Sequence, residues 1–351
     1  MEPAAPATVP PEVLAAYPEL AGRPARPLGR GLINDTFLVG GAAGPVVMQR
    51  LHPIFAPTVN DDLAAVTAHL AEKGLRTPRL CPTGDGGRWV LDAGGRSWRA
   101  LTFVDGVTVE RVDSAARAEQ AGLLVGRFHG ALADLDYAYH HVRAGVHDTP
   151  RHLAALADAV AGGHGHRLYD QVAPLADALL AAGAALPDFA PLPQRHAHGD
   201  LKISNLLFTE GGEGLCLVDL DTLGRMAWPL EMGDALRSWC NPAGEDVAAG
   251  ELDEERFAAA VRGYGRAPGP PLTTLERDLL VDGLRTICVE LAARFAADAL
   301  LERYFGWDRT RFPARGEHNL LRAQGQLALA RGVAAKERAL RRTVAATLGD
   351  D

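Results

Sequence analysis

Residues 196–208 read HAHGDLKISNLLF, a polar stretch that runs directly into apolar sequence. The stretch places Asp200, Lys202 and Asn205 within six residues, just before a segment with the composition of a β-strand. A carboxylate at such a position can accept the proton of a hydroxyl group. The amide oxygen of Asn205 can ligate Mg²⁺, a hard cation that prefers oxygen ligands. The spacing therefore predicts a loop that carries chemistry rather than only a turn.

A second pair of acidic residues follows in LVDLDTLG, residues 217–224. Asp219 ends an apolar run and Asp221 comes two residues later. Alternate residues of an extended segment lie on the same side, so both carboxylates could face one cation. Asp221 fits two interpretations equally well, a second metal contact or a turn-forming residue. Together with the loop, the pair predicts phosphoryl transfer, which needs positioning, charge neutralisation and an acceptor for the hydroxyl proton.

A metal-dependent hydrolase is an alternative for the same loop. His196, His198 and Asp200 alternate along one edge and could bind a transition metal. That interpretation leaves Lys202 and Asn205 without a role, so phosphoryl transfer explains more of the stretch.

The bulk composition excludes several classes of protein. The chain has 351 residues, 47% of them hydrophobic, and a formal net charge of −8, which argues against a general nucleic-acid binder. No apolar run reaches the roughly 18 residues of a membrane span. The N-terminus lacks the basic and apolar regions of a leader peptide, so we expect a cytoplasmic protein without a membrane partner. The widely spaced cysteines form no CxxC pair and are predicted to be reduced thiols: Cys81, Cys216, Cys240 and Cys288.

The pattern of secondary structure divides the chain into a small α+β region and a larger helical region. In the first region, TFLV and VVMQRL flank the turn GGAAG, a helix is predicted from Asn60 as N-cap to Gly74, and a second hairpin follows. From about residue 106 the apolar spacing is helical, interrupted by the loop and by a hairpin of NLLF and LCLVDLD. The predicted fold class is α+β, with lobes at 1–104 and 105–351.

Several motifs resemble a known family of kinases. HGDLKISN, residues 198–205, matches the H-x-D-x-x-x-x-N catalytic loop of the kinase superfamily, and VDLD takes the place of its D-F-G segment. The His-Gly-Asp form, without a later A-P-E signature, resembles the aminoglycoside phosphotransferase and choline kinase branch, whose members phosphorylate small molecules. GRGLINDTFLV (29–39), VMQRLH (47–52), EMGDALRS (231–238) and HNLLRAQGQLAL (318–329) further resemble the N-acetylhexosamine 1-kinases.

The resemblance implies a bilobal, protein-kinase-like fold with a small antiparallel-sheet N-lobe containing one helix and a large, mostly helical C-lobe. It implies ATP and Mg²⁺ as cofactors and a small-molecule hydroxyl acceptor. Asp200 would be the catalytic base and Lys202 would lie near the transferred phosphate, while Asn205, Asp219 and Asp221 would hold the metal. The glycine-rich turn and the hinge of the N-lobe would bind the nucleotide through Gly29, Gly31, Asn34, Thr102 and Val104.

The sequence departs from the kinase pattern at the phosphate clamp. Kinases usually keep a lysine on the third strand, but here that strand reads VVMQRL and offers Gln49 and Arg50 instead. Either Arg50 supplies the charge in a forked geometry, or Gln49 takes the place and supplies polarity alone. The acidic partner on the following helix is open among Asp61, Asp62 and Glu72. The missing lysine is the one feature that favours a pseudokinase, a nucleotide-binding protein without catalysis.

The acceptor side has several candidate residues, each with a structural alternative. Asp234 and Arg237 are spaced i, i+3 on a predicted helix, where they could form a surface ion pair or lie near the acceptor. Asn319 and Arg322 could contact a sugar or make interhelical polar contacts, and Asp35 could be a polar residue at a hairpin edge. The expected acceptor is the anomeric hydroxyl of an N-acetylhexosamine. The alternatives are an aminoglycoside, an amino alcohol or another sugar.

Overall fold

The computed structural model describes residues 8–29, 34–141 and 145–349. The chain forms two compact units, and the change from one to the other falls after Gly106. Two later segments return to the first unit, whereas the sequence pattern suggested a single boundary at 104/105. The first unit comprises Met1–Gly106, Asp134–Arg143 and Val218–Leu223, and the second comprises Val107–Ala133, Ala144–Leu217 and Gly224–Asp351.

In its described residues, the first unit contains two α-helices and an antiparallel sheet. Its elements are α1 Pro11–Ala15, β1 Ala25–Pro27, β2 Asp35–Gly41, β3 Gly44–Arg50, α2 Val59–Glu72, β4 Leu80–Cys81, β5 Val90–Leu91 and β6 Ser97–Thr102. The strand order is β1–β2–β3–β6–β4, and β5 also pairs with β6. Both predicted hairpins are confirmed, since β2 pairs with β3 and β5 pairs with β6.

The two faces of this sheet differ in character. Directly opposed residues of antiparallel strands lie on one face, and the face alternates along each strand. Phe37 and Met48 are opposed, and both lie in the apolar core of the unit. Thr36, Gln49 and Arg99 are opposed on the other face. One face therefore builds the core, and the other carries a polar set that includes an arginine.

The second unit is mostly helical. Its elements are α3 Ala115–Leu132, α4 Thr149–Gly162, α5 Tyr169–Ala184, β7 Gln194–Ala197, β8 Leu206–Phe208, β9 Gly214–Leu217, β10 Gly224–Ala227, α6 Trp228–Trp239, α7 Glu254–Gly265, α8 Thr274–Asp278, α9 Leu280–Leu301 and α10 Arg315–Leu348. β8 and β9 form the predicted hairpin, and β7 pairs with β10. The predicted α+β class is therefore confirmed.

The central helix of the second unit is α9, which is buried around most of its circumference and contacts α4, α5, α6 and α10. A helix that is apolar on nearly every side belongs in the interior of a domain. α6 crosses α9 where Gly233 faces Gly283. A Cβ atom on Gly283 would lie 2.0 Å from the carbonyl oxygen of Pro229 in α6. The close approach of the two helices therefore requires glycine, and it fixes the position of α6.

One predicted helix boundary was wrong. Thr58, not Asn60, occupies the N-cap of α2, and Asn60 lies in the first turn, where its Nδ2 donates to the Pro57 carbonyl at 2.9 Å. The predicted end is confirmed, because Gly74 follows the helix with φ 77. All four cysteines are free thiols, as predicted. Within the described ranges, no helix is both long and apolar enough to cross a membrane.

Candidate active site

The loop after β7 is fastened to α6. Glu231, buried in α6, accepts hydrogen bonds from the backbone N–H groups of His198 at 2.6 Å and Gly199 at 3.1 Å. Gly199 has φ 80, a left-handed conformation that glycine adopts without steric cost. At the other end of α6, Trp239 Nε1 donates to the Leu201 carbonyl at 2.9 Å. The loop backbone is therefore held on both sides of Asp200.

The three polar side chains predicted from this loop come together in the structure. Lys202 Nζ donates to Asp200 Oδ2 at 2.6 Å, and Asn205 Nδ2 donates to the backbone carbonyl of Asp200 at 2.8 Å. The second bond uses the amide N–H₂ of Asn205 as its donor. The Asp200 side chain is 29% exposed, whereas Asn205 is 5% exposed. The carboxylate is thus accessible to a reactant, and the amide is fixed in place.

Glu231 is charged in this setting. Burial alone raises the pKa of its carboxyl, but the His129 imidazole, 3.6 Å away, and the His198 backbone N–H stabilise the carboxylate. The net effect is a pKa below the usual value for glutamate. A carboxylate can accept from two backbone N–H groups at once, so the charge of Glu231 maintains the shape of the loop.

Residues 218–223 form a turn in the first unit. Asp219 has φ 62 and ψ 54, the left-handed region, and a single 3₁₀ turn of Leu220–Thr222 follows it. A non-glycine residue pays roughly 1–2 kcal/mol for this conformation, which is concentrated at functional sites. Asp221 is 2% exposed; its Oδ1 accepts from Arg99 Nη1 at 2.5 Å and its Oδ2 from Asn34 Nδ2 at 2.6 Å. Asp219 and Asp221 therefore have different surroundings, although both stay predicted metal ligands.

Arg99 is the residue that sequence analysis missed. It is 1% exposed on β6, where its Nε and Nη2 donate to Gln49 Oε1 at 2.9 and 2.7 Å. Its Nη1 also lies 3.4 Å from Asn60 Oδ1. A buried guanidinium needs such partners to offset the loss of hydration. The signal available in the sequence was an arginine inside SWRALT, a strand whose other residues are nearly all buried.

The structure separates Gln49 from Arg50, the two candidates for the phosphate clamp. Arg50 lies on the core-side face of the sheet, opposite Asp35, and its Nε donates to Asp35 Oδ2 at 2.7 Å. Gln49 lies on the polar face, opposite Arg99. The cation beside Gln49 is therefore Arg99, and Arg50 forms a cross-strand pair with Asp35.

The prediction that an acidic residue of α2 pairs with the cation of the sheet was wrong. Asp61 pairs with Arg88, Asp62 accepts hydrogen bonds from the segment 137–141, and Glu72 is exposed at the end of the helix. The residue of α2 that approaches Arg99 is Asn60. The acidic partner of Arg99 is Asp221, which comes from a segment 122 residues away in sequence.

The other predicted nucleotide contacts occupy different parts of the first unit. Gly29 has φ 72, as a tight turn requires, and Gly31 lies outside the described residues. Asn34 is buried and accepts from the backbone N–H of His52 at 2.9 Å. Thr102 ends β6, and Val104 follows it outside any regular element. Their roles toward a nucleotide stay predictions.

The acceptor candidates Asp234 and Arg237 form a buried pair rather than a surface pair. Arg237 Nη2 donates to Asp234 Oδ1 at 3.0 Å, and the residues are 7% and 6% exposed respectively. Burial alone raises the pKa of Asp234, but Arg237, His147 and Lys202 hold it below its usual range. The other oxygen, Oδ2, is buried without a hydrogen-bond partner among the described residues.

Asn319 makes the interhelical polar contact that was the structural alternative, whereas the polar partners of Arg322 lie in loops. Asn319 Nδ2 donates to Asp298 Oδ2 at 2.9 Å, and Arg322 Nε donates to Asp246 Oδ1 at 2.7 Å. The Arg322 guanidinium also lies over the Phe295 ring, 5.5 Å from its centroid. Both side chains therefore have structural contacts, and a role toward the acceptor stays a prediction.

The chemistry of the predicted ligands favours magnesium over a transition metal. An amide oxygen such as that of Asn205 and a carboxylate such as that of Asp219 are ligands of the kind that Mg²⁺ prefers. By contrast, no group of three His, Cys, Asp or Glu side chains in the described part of the chain could hold a metal ion. His196, His198 and Asp200 are all described, so the three-ligand hydrolase site is not formed and that alternative was wrong.

Sequence comparison relates the chain to known enzymes. The profile of APH, the phosphotransferase enzyme family, matches residues 24–269. The homoserine kinase of Cupriavidus taiwanensis is 30% identical over 224 residues, which cover 62% of this chain and 62% of that enzyme. The match thus spans less than two thirds of the relative's length.

Two solved structures have the same fold. The microcompartment-associated aminopropanol kinase superposes with a TM-score of 0.63 and 18% identity, covering 93% of this chain and 97% of the other. The amicoumacin kinase hAmiN, in complex with AMP-PNP, Ca²⁺ and Ami, superposes with a TM-score of 0.59 and 14% identity, covering 87% of each chain. The predicted kinase-like fold is confirmed. None of these three proteins is an N-acetylhexosamine 1-kinase, so that closer resemblance remains a prediction.

Proposed function

Because this chain belongs to the phosphotransferase enzyme family, we propose that it is a small-molecule kinase that transfers the γ-phosphate of ATP to a hydroxyl group. The observation that carries the proposal is the loop in which Lys202 and Asn205 both contact Asp200. Phosphoryl transfer depends mainly on positioning and electrostatics, and a loop fastened along its backbone supplies both.

In this proposal Asp200 orients the acceptor hydroxyl and takes its proton. Its exposed carboxylate can reach a hydroxyl within hydrogen-bond distance. The Lys202 ammonium, held 2.6 Å from that carboxylate, is a cation available to the negative charge on the transferred phosphoryl group. Glu231 contributes indirectly, because it holds the N–H groups immediately before Asp200.

Mg²⁺ would be held by oxygen atoms of Asn205 and Asp219. When bound, the ion neutralises phosphate charge and fixes the orientation of the nucleotide. The hydrogen bond from Asn205 Nδ2 to the Asp200 carbonyl supports this assignment, because it orients the amide before any ion binds.

Two acceptor classes have separate support. The segments around Asn34, Glu231 and Asn319 resemble N-acetylhexosamine 1-kinases, which favours a sugar hydroxyl. The homoserine kinase and aminopropanol kinase similarities favour a hydroxyl on an amino acid or amino alcohol. Asp234, predicted from the sequence to lie near the acceptor, suits either class, since a carboxylate can accept from a hydroxyl, an amide N–H or an ammonium group.

The test is Mg²⁺-dependent ATP consumption with a panel of acceptors. The panel contains N-acetylglucosamine, N-acetylgalactosamine, plain hexoses, homoserine, aminopropanol, choline and aminoglycosides. Asp200→Asn is expected to lower kcat by roughly 10²–10⁴-fold, because it removes the proton acceptor. Asp177→Asn, an exposed site in α5, is the matched control and should leave turnover unchanged.

The acceptor that turns over identifies the class, and loss of turnover in Asp200→Asn alone supports the mechanism. Acceptor-dependent turnover that survives in Asp200→Asn would overturn the role of Asp200. ATP binding without turnover on any acceptor would overturn the kinase proposal in favour of a nucleotide-binding pseudokinase.

A further inference from the structure

We propose that Arg99 is a positioning residue that takes over, from β6, the place of the lysine missing from β3, and that it does so by fixing the turn of Asp219 through Asp221. The inference rests on the proposed kinase function, since it assigns Asp219 to the metal. It also explains why a chain without the strand lysine can still be active.

The contacts of Arg99 engage both of its Nη atoms and its Nε within the protein. Its Nε and Nη2 donate to Gln49 Oε1, and its Nη1 donates to Asp221 Oδ1 at 2.5 Å and approaches Asn60 Oδ1. The residue is 1% exposed. A guanidinium has five N–H groups in a fixed plane, so these three partners determine its orientation. Arg99 therefore acts on the site through Asp221 and does not bind phosphate itself.

Asp221 is fixed from two directions. Arg99 binds one carboxylate oxygen, and Asn34 Nδ2 binds the other at 2.6 Å. Asn34 is itself held, because its Oδ1 accepts from the His52 N–H at 2.9 Å. Asp221 thus anchors the 3₁₀ turn that begins directly after Asp219. The left-handed backbone of Asp219 is strained, so a fixed neighbouring turn is what maintains it.

The sheet register makes an exchange of charge possible. Gln49 and Arg99 are directly opposed on β3 and β6, on the same face. Gln49→Lys combined with Arg99→Gln moves the cation across one strand and keeps one cation and one amide in the pair. A lysine on β3 is the arrangement of kinases in general. The double variant should therefore restore what Arg99→Gln alone removes.

The experiment compares wild type, Arg99→Gln, Arg99→Lys, the double variant and the control Arg96→Gln, whose side chain is 49% exposed. Hydrogen–deuterium exchange of residues 218–223 is measured without nucleotide or metal, and the Mg²⁺ concentration for half-maximal activity is measured with the best acceptor. In Arg99→Gln we expect faster exchange in this segment and a roughly 10–100-fold higher Mg²⁺ requirement, the usual effect of losing a residue that orients a metal ligand.

The double variant is expected to recover slow exchange and to return the Mg²⁺ requirement to within about 3-fold of wild type, a residual consistent with the weaker geometric fit of lysine. Arg96→Gln should change neither quantity. The proposal would be overturned if Arg99→Gln had the same Mg²⁺ requirement as wild type, or if its residues 218–223 exchanged as slowly as those of wild type. If Arg99→Lys restores slow exchange and a low Mg²⁺ requirement but the double variant does not, the inference that a cation on β3 can replace Arg99 is overturned.

The experiment remains decisive if Arg99→Gln does not fold or if no acceptor turns over. If Arg99→Gln does not fold, Arg99→Lys and the double variant carry the same comparison. If no acceptor turns over in wild type, the proposed function fails, and the exchange measurement, made without ligands, still decides whether Arg99 fixes the turn.

Discussion

Asp219 combines a left-handed backbone with a carboxylate that we propose as a ligand of Mg²⁺. Its φ of 62 is accessible to glycine and tolerated by asparagine, but it is costly for alanine. Substitutions at Asp219 can therefore separate the effect of the left-handed backbone on stability from the effect of the carboxylate on activity.

Three variants of Asp219 test this separation. Asp219→Asn, Asp219→Gly and Asp219→Ala should each lower kcat/KM by roughly 100-fold or more, because each removes the carboxylate that we propose holds Mg²⁺. The free energy of unfolding should be lowest for alanine, by about 1 kcal/mol relative to glycine, since alanine retains the steric cost of the left-handed region. Chemical denaturation measures the order. Equal stability of the alanine and glycine variants would show that the turn relaxes to another conformation.

At the scale of elements, α6 determines the shape of the loop after β7, the candidate active-site loop. Glu231 and Trp239 of this helix hold the loop backbone, and Asp234 and Arg237 lie buried between them. The position of α6 depends in turn on its crossing with α9, where backbone meets backbone at Gly283. A small change at that crossing should therefore affect both stability and activity.

Gly283→Ala tests the crossing. Its Cβ would meet the Pro229 carbonyl oxygen at 2.0 Å, so we expect a loss of roughly 2–3 kcal/mol in the free energy of unfolding and lower activity. Gly332→Ala in α10 is the matched control, because a Cβ atom added there would have no neighbouring atom within 4 Å. That variant should gain about 0.5–1 kcal/mol from the helix preference of alanine. A Gly283→Ala protein as stable as the control variant would disprove the tight crossing.

At the scale of the whole molecule, buried carboxylates make stability depend on pH. Burial alone raises the pKa of Glu231, Asp234 and Glu290, but hydrogen bonds and neighbouring charges more than offset it. All three pKa values lie below the usual ones in the folded protein. Such groups stabilise the fold fully at pH values above their unfolded pKa, and that stability is lost as the pH falls through the folded pKa.

We therefore expect the free energy of unfolding to decline below about pH 4.5, the ordinary value for glutamate. Glu231→Gln should be roughly 3 kcal/mol less stable than wild type at pH 7, because it leaves buried partners without the charge. The difference should narrow as acid protonates Glu231 in wild type. Asp177→Asn should match wild type at every pH. A Glu231→Gln difference that stays constant from pH 7 to pH 3 would refute a charged Glu231.

Much of the fold follows from local sequence. The hairpins of the first unit follow from alternating apolar residues around glycine turns, and the long helices follow from apolar residues at helical spacing. The loop side chains Asp200, Lys202 and Asn205 could be predicted together because they are close in sequence. The N-cap of α2 was predicted two residues too late, at Asn60 instead of Thr58. An asparagine inside the first turn can bond to the preceding loop as readily as it caps a helix.

What the sequence by itself determined is the α+β class, the hairpins and the composition of the active-site loop, because each depends on residues near one another in the chain. Only the tertiary structure decided that Arg99 is the buried cation, that Asp221 and Gln49 are its partners, and that Arg50 faces the other side of the sheet. These pairings join strands and turns far apart in sequence. These pairings form because a buried charge requires a partner. Sequence spacing does not indicate which residue the fold will bring close enough to be that partner.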